Sequence, residues 1–302
     1  MDLGTIGVWS GQLQRAPLDV AGALVAEWEA LGYQAVWVPE SPSARDVLTF
    51  SAVLLERSSR IVVATGIAVI WNRDPVAMSN ASRTMAEAHP NRFVLGVGVS
   101  HRDSVDGRGH RYERPLAAMR RYLTDMDAAP YDAPEPQHPP LRLVAALGPR
   151  MTEVGAELAD GVHPFLGTPD HTATAREIVG SDGIVAVEQA VLLTGDGSVA
   201  RAAARQHLER FLKWPNYHRH LHRLGFTEEE LAGGGSDRVV DALYAWGDEA
   251  AVRERVGEHI AAGADHVCLQ AIPRDGMDEA TTVRALAPAL LNPPLGGRRR
   301  GR

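Results

Sequence analysis

Apolar strand-like runs and helix-like runs alternate along most of this chain, one pair in roughly 30 residues, and few folds accept that rhythm. The first run, residues 3–9, ends at Ser10-Gly11; helical periodicity follows over 18–31 and stops at Gly32, a natural C-cap. A second strand at 35–38 and a second helix at 46–57 repeat the pattern. The third strand, 61–70 (IVVATGIAVI), is apolar nearly throughout, as expected of a parallel strand buried on both faces. Asp74 and Pro75 open the next helix, 75–89, as N-cap and first helical residue. Strands at 93–99, 141–146, 161–165 and 184–193 follow, with helices over 114–128, 149–158 and 169–179 between them. After Ser198 the rhythm changes: helical stretches at 199–224, 237–246 and 249–262 precede the last strand, 266–272. The prediction is an α/β fold, a closed (β/α)8 TIM barrel with a helical insertion, residues 199–262, between strands seven and eight. It forms one domain over 1–292. Residues 293–302, ending in GRRRGR after Pro293 and Pro294, read as a disordered basic tail. An open doubly wound sheet would need G-x-G-x-x-G running into a helix, but the sixth position of that motif, counted from Gly96, is His101, followed by a polar loop.

Composition excludes several function classes. A formal charge of −7 argues against a nucleic-acid partner, which needs a concentrated basic surface. The single cysteine, Cys268, sits in an apolar run and reads as a buried thiol. The only lysine, Lys213, lies in F-L-K-W-P, so no Walker-type phosphate loop is present. No basic segment with an apolar core opens the chain and no apolar run is long enough to span a membrane; the expected location is the cytoplasm.

Residues 92–101, R-F-V-L-G-V-G-V-S-H, put Gly96 and Gly98 on one face of a strand. Two readings are open: a flat cofactor lies against that face, or the glycines relieve crowding within the barrel. His101 sits just past the strand, at the barrel end where such folds keep their chemistry. The other strand ends are Trp9-Ser10, Glu40-Ser41, Ile70-Trp71-Asn72, Ala146-Leu147-Gly148, Phe165-Leu166-Gly167 and Gln270. They are poor in the clustered carboxylates and histidines of a metal-dependent hydrolase. Helical spacing puts His218 and His222 on one face, but no carboxylate is in phase, and no metal is expected.

Five segments, V-W-V-P-E at 36–40, A-T-G-I-A-V-I-W-N-R-D-P at 64–75, N-R-F-V-L-G-V-G-V-S-H at 91–101, A-A-L-G-P-R-M at 145–151 and G-A-D-H-V at 263–267, resemble the luciferase-like superfamily in the right order. More narrowly, they resemble its actinobacterial branch that uses the deazaflavin coenzyme F420; P-N-Y at 215–217 and G-G-S-D-R at 234–238 fit that branch too. The resemblance implies a deazaflavin ring over the barrel mouth, with a non-prolyl cis peptide beneath it at Gly66-Ile67 and Ala68 beside it. It implies that Gly98, Val99 and Ser100 line the ring, and that Ala146 and Gly148 lie near the ribityl chain. Gly167-Thr168 at a helix N-terminus and Arg238 are the expected phosphate contacts. A phosphate-contacting lysine common in relatives is missing there, since Lys213 lies elsewhere.

In related sugar-phosphate dehydrogenases an acid and a histidine follow the second strand and a glutamate follows the fourth. Here Glu40 matches the acid, Ser41 replaces the histidine and His101 replaces the glutamate. That pattern argues against sugar-phosphate oxidation and leaves His101 and Glu40 as the proton-handling candidates. Trp9, Trp71 and Asn72 wall the expected substrate pocket, and Trp37 is the tryptophan most easily assigned to the core. The expectation is an F420-dependent oxidoreductase acting on a small molecule, as a homodimer. The alternatives are an FMN-dependent monooxygenase of the same superfamily and a non-catalytic flavin or deazaflavin binder.

Overall fold

A computed structural model describes residues 1–274, 276–292 and 295. The chain opens β1 (Ile6–Trp9), α1 (Leu18–Leu31), β2 (Ala35–Val38) and α2 (Val47–Glu56), with Gly32 closing α1 in the left-handed conformation at φ 103°. The next repeat is β3 (Val62–Thr65), β4 (Ala68–Val69), α3 (Pro75–Ala88) and β5 (Phe93–Gly98). Asp74 caps α3, accepting from the Ala77 amide at 2.9 Å. Then come α4 (Arg102–Asp106), α5 (Pro115–Asp127), β6 (Leu141–Ala145), α6 (Pro149–Leu158), β7 (Gly161–His163), α7 (Pro169–Val179) and β8 (Ile184–Leu193). The insertion holds α8 (Gly197–Leu212), α9 (Pro215–Arg223), α10 (Glu228–Leu231), α11 (Asp237–Leu243), β9 (Tyr244–Gly247) and α12 (Glu249–Ala261). The last elements are β10 (His266–Ala271) and α13 (Glu279–Leu291).

All the strand pairs are parallel, and β10 joins both β1 and β8, so the sheet closes into the expected eight-stranded barrel. Its interior is filled by Trp37, Val62, Val94, Leu143, Ile184, Ala186 and Cys268, while a larger cluster packs between strands and helices. Trp37 belongs to this core: it is fully buried, stacks on His163 at 4.4 Å and donates through Nε1 to His266 Nε2 at 3.0 Å.

Three expectations change. The run 61–70 is not one strand but β3 and β4, separated by a bulge with the cis Gly66–Ile67 peptide that the resemblance implied; in it Gly66 N–H donates to Val38 O and Glu40 N–H to Ile67 O. The stretch 237–246 is not all helix; Tyr244–Gly247 is a strand pairing with β8 beyond the end of β7. The stretch 199–224 splits at Trp214, where Pro215 starts a new helix, since proline suits a first helical position and not an interior one. The basic tail, residue 295 apart, lies outside the described residues. No helix among those described is long and apolar enough to cross a membrane.

Candidate active site

The bulge after β3 organises one side of the barrel mouth. Glu40, just past β2, accepts from the Val69 amide at 2.7 Å and from both terminal nitrogens of Arg73, at 2.7 and 3.1 Å. Arg73 also binds Asp46, and both the Arg73 and Glu40 side chains are nearly buried. Glu40 is thereby corrected from a proton carrier to a positioning residue, because both its oxygens are committed to holding the bulge. Glu40→Ala should cost about 3 kcal/mol of unfolding free energy, since it leaves the Arg73 charge half-paired in a dry site. Urea denaturation checks this; an unchanged midpoint would remove Glu40 from that role.

Gly96 and Gly98 take the second of the two readings. A Cβ on Gly96 would lie 2.1 Å from Thr65 O, and one on Gly98 would lie 2.3 Å from Ile67 Cδ1 and 3.2 Å from Ala145 Cβ. The bulge itself fills the space beside both glycines, and no flat ligand is needed to explain them. Ala68 is buried and paired with Val97, also within the scaffold. Trp9 lies over the bulge, its Nε1 2.7 Å from where a Gly66 Cβ would be. Trp71 donates through Nε1 to Val99 O at 2.8 Å, and the partly exposed Asn72 follows it. Ser100 adopts φ 58°, and His101 follows as the extended N-cap of α4.

His101 is the centre of an aromatic cover that local sequence patterns did not place. Its ring stacks on Trp214 at 4.0 Å and nearly parallel, with Tyr217 at 5.5 Å. Phe165 links Trp9, Phe211 and Tyr217 across the mouth. His101 Nδ1 lies 3.1 Å from Asn216 Oδ1. An amide oxygen only accepts, so Nδ1 carries the proton and Nε2 keeps the lone pair. Burial pushes the His101 pKa below its usual value, opposed by Asn216 and Asp103, which favours the neutral ring.

A second cluster forms where α6 and α7 begin. Gly148 precedes α6 and Thr168 caps α7, its hydroxyl accepting from the His171 amide at 3.3 Å. A Cβ on Gly148 would meet the Arg223 guanidinium at 2.9 Å, and one on Gly167 would meet His171 Nδ1 at 2.5 Å. Arg223 donates to Leu147 O at 3.1 Å. His220 spans the two loops, with Leu147 O and Leu166 O at 2.8 and 2.9 Å. Two helix N-termini and an exposed cation make this an anion-ready corner. Arg238 is corrected: it lies on Phe226 and pairs with Glu230 at 2.7 Å, so its charge is already matched. Ala146 turns its side chain into the cluster beneath α7, with Val162 and Ala175. Arg223 was not legible in the sequence, because only the fold of the insertion returns α9 to Gly148.

Glu188 was also missed, although a lone acid in the apolar strand I-V-A-V-E-Q-A-V-L-L is a visible signal. It alternates with Ile184 and Ala186 toward the barrel interior, and burial raises its carboxyl to a pKa of about 8. Its Oε2 accepts from the Leu166 amide at 3.1 Å, while Oε1 has no partner. Trp9 Nε1 and Gln270 Oε1 are likewise buried without partners. The three residues lie on β1, β8 and β10, which are neighbours around the barrel. Such orphaned groups are costly unless a bound polar molecule completes them. A groove of about 570 Å³ lined by Arg83, Glu135, Arg142 and Glu157 lies instead where strands begin, at the end without these groups.

Residues 1–266 match the model of the family described as luciferase-like monooxygenase. A 5,10-methylenetetrahydromethanopterin reductase of Archaeoglobus fulgidus is 26% identical over 49% of this chain and 50% of its own length. A Mycobacterium tuberculosis protein provisionally named a coenzyme F420-dependent oxidoreductase is 24% identical over 87% of this chain and 93% of its own. Among solved structures, the coenzyme F420-dependent tetrahydromethanopterin reductase of Methanopyrus kandleri superposes with a TM-score of 0.76 at 16% identity, covering 97% of this chain and 99% of that one, a likeness of fold. With that match running from the first strand to the start of the last, on a closed parallel barrel, the chain belongs to the luciferase-like family.

Proposed function

We propose that this protein is a coenzyme F420-dependent oxidoreductase that moves a hydride between the deazaflavin and a small organic substrate. The observation that carries the reading is the trio of buried, unpartnered polar atoms, Trp9 Nε1, Glu188 Oε1 and Gln270 Oε1, opening inward from adjacent strands. A heterocycle with polar edges suits them: tryptophan and the protonated Glu188 donate, and the Gln270 amide oxygen accepts. The corner formed by Gly148, Gly167, Thr168 and Arg223 suits the coenzyme's phosphate. The choice of F420 rests on the names of the mycobacterial relative and the Methanopyrus structure. When bound, the deazaflavin supplies two-electron hydride chemistry.

The chain's own part is binding, cover and one proton. His101 Nε2 accepts the proton when a substrate hydroxyl is oxidised, or returns it when a carbonyl or alkene is reduced. Asn216 fixes the tautomer and Trp214 the ring plane, so the lone pair keeps one direction. Phe165, Phe211 and Tyr217 keep water from the mouth. The proposed working unit is one barrel domain over 1–292, acting in the cytoplasm as a homodimer, the dimer being what the resemblance implies. A second reading, an FMN-dependent monooxygenase, is favoured by the family's own description.

Titration of the apoprotein with F420 and, separately, with FMN, followed by ligand fluorescence and thermal stability, tests the reading. Tight F420 binding with a stability gain and little response to FMN is the expected result; the reverse preference makes oxygen the co-substrate, and binding of neither sinks both. His101→Ala should keep F420 affinity while lowering turnover by about 10²–10⁴.

A further inference from the structure

The sequence offered His218 and His222 on one helical face with no carboxylate in phase; the fold supplies one from another helix. A turn after α9 brings Glu228, the first residue of α10, against both histidines. Glu228 Oε2 lies 3.0 Å from His222 Nε2 and 3.7 Å from His218 Nδ1, and the three atoms lie within 4.8 Å of one another. A tetrahedral ion with ligand bonds of about 2.0–2.1 Å holds its donor atoms roughly 3.3 Å apart, a spacing these separations bracket. Glu228 is held in place by a capping box, in which Thr227 and Glu230 exchange bonds across the start of α10.

The hydrogen-bond inventory of His222 points the same way. Its Nδ1 lies 2.8 Å from Phe226 O, a group that only accepts, so Nδ1 carries a proton. The other nitrogen, Nε2, faces a carboxylate oxygen 3.0 Å away. Either a proton on Nε2 or a cation held between the ring and the carboxylate completes this contact. The second imidazole, His218, 3.7 Å from the same oxygen, supplies the third donor that a cation uses and a single proton does not. The carbonyl on the far side of the ring is the outer partner that metal-bound histidines commonly use.

We propose that His218, His222 and Glu228 form a divalent-metal site, of zinc type, that staples α9 to α10, with water in the fourth position. Two imidazoles and a carboxylate are ordinary zinc donors, and all three side chains are reachable from solvent. The opposite face of α9 carries Tyr217 and His220, buried against the barrel mouth. The metal therefore holds the helix that covers His101, and takes no part in the chemistry.

The test uses the tag-free full chain, stripped with chelator, dialysed against low micromolar Zn2+ and analysed for metal content. Wild type should retain about one equivalent and gain a few degrees in Tm, while His222→Ala and Glu228→Gln should retain less than about a tenth of that and gain nothing. Far-ultraviolet circular dichroism of the stripped proteins shows that the variants are folded; Glu228→Gln keeps the side-chain shape if His222→Ala does not fold. Wild type without retained zinc, or folded variants that retain as much as wild type, overturns the site in favour of a plain His–Glu ion pair. Because the probe is the metal alone, this outcome is independent of whether F420 binds.

Discussion

Gly96→Ala is expected to cost about 3 kcal/mol or more, whereas Gly98→Ala, two residues along the same face, should cost about 1 kcal/mol. The difference comes from what each new methyl would strike. At Gly96 it is the Thr65 carbonyl oxygen at 2.1 Å, with the Thr65 carbonyl carbon at 3.3 Å behind it. That oxygen belongs to the backbone entering the bulge, and Thr65 is further tied by its hydroxyl to Gly96 O at 2.7 Å. Relief requires β3 and β5 to separate, which breaks barrel pairing between Val63–Ala64 and Phe93–Val94. At Gly98 the nearest atom is the far end of the Ile67 side chain, which has another rotamer to adopt. Urea midpoints of the two variants decide it; equal losses would mean that the bulge yields as easily as a side chain.

Acidification should unfold this protein earlier than its carboxylates alone would. Burial lowers His163 and His266 to about 4, and His171, His207 and His259 to about 3. His266 is locked neutral by its bonds: its Nε2 accepts from Trp37 Nε1 while Nδ1 meets Gly4 O at 2.8 Å. In the unfolded chain these rings take up protons near pH 6.5, whereas the native chain resists until pH 3–4. Stability is therefore lost as pH falls from about 6.5, by about 1.4 kcal/mol per pH unit for each ring that titrates. Glu188 and Glu279, raised to about 8 by burial, act in the opposite sense. The native state keeps their protons where the unfolded state has released them, so their contribution declines as pH rises from about 4.5 to 8. Five rings outweigh two carboxyls where the windows overlap, which puts maximum stability near pH 6.5, with a steep acid limb and a shallow alkaline one. A Tm series from pH 4.5 to 8.5 reads this directly; a flat profile below pH 6.5 would show that the histidines are not held neutral.

How much was legible depended on how far each signal reached along the chain. The helices Leu18–Leu31, Pro149–Leu158 and Pro169–Val179 and the strand Ile184–Leu193 could be bounded from caps, prolines and apolar runs, because those signals act within one turn or one strand. His101 could be nominated, since a residue just past a barrel strand is a local fact. Its partners could not: Trp214 and Asn216 come from an insertion more than a hundred residues away, and no periodicity records that α9 returns over the fourth barrel strand. The same distance hid Arg223 from Gly148, while Glu228 escaped because it lies beyond α9 on a separate short helix. The glycine pair shows the limit in reverse. The alternation announced that something lies close to that strand face, and only the packing revealed that it is the neighbouring bulge.

By itself, the sequence determined the barrel and the strand end that carries His101, because alternating burial and helix punctuation are written residue by residue; the family came from the resemblance of five ordered segments. Only the tertiary structure decided what Glu40 holds, which cation stands at the anion-ready corner, and that three polar groups on the neighbouring strands β1, β8 and β10 are buried unpartnered. Those are contacts between residues far apart in the chain, fixed by barrel closure and by the docking of the insertion, and local spacing carries no record of either.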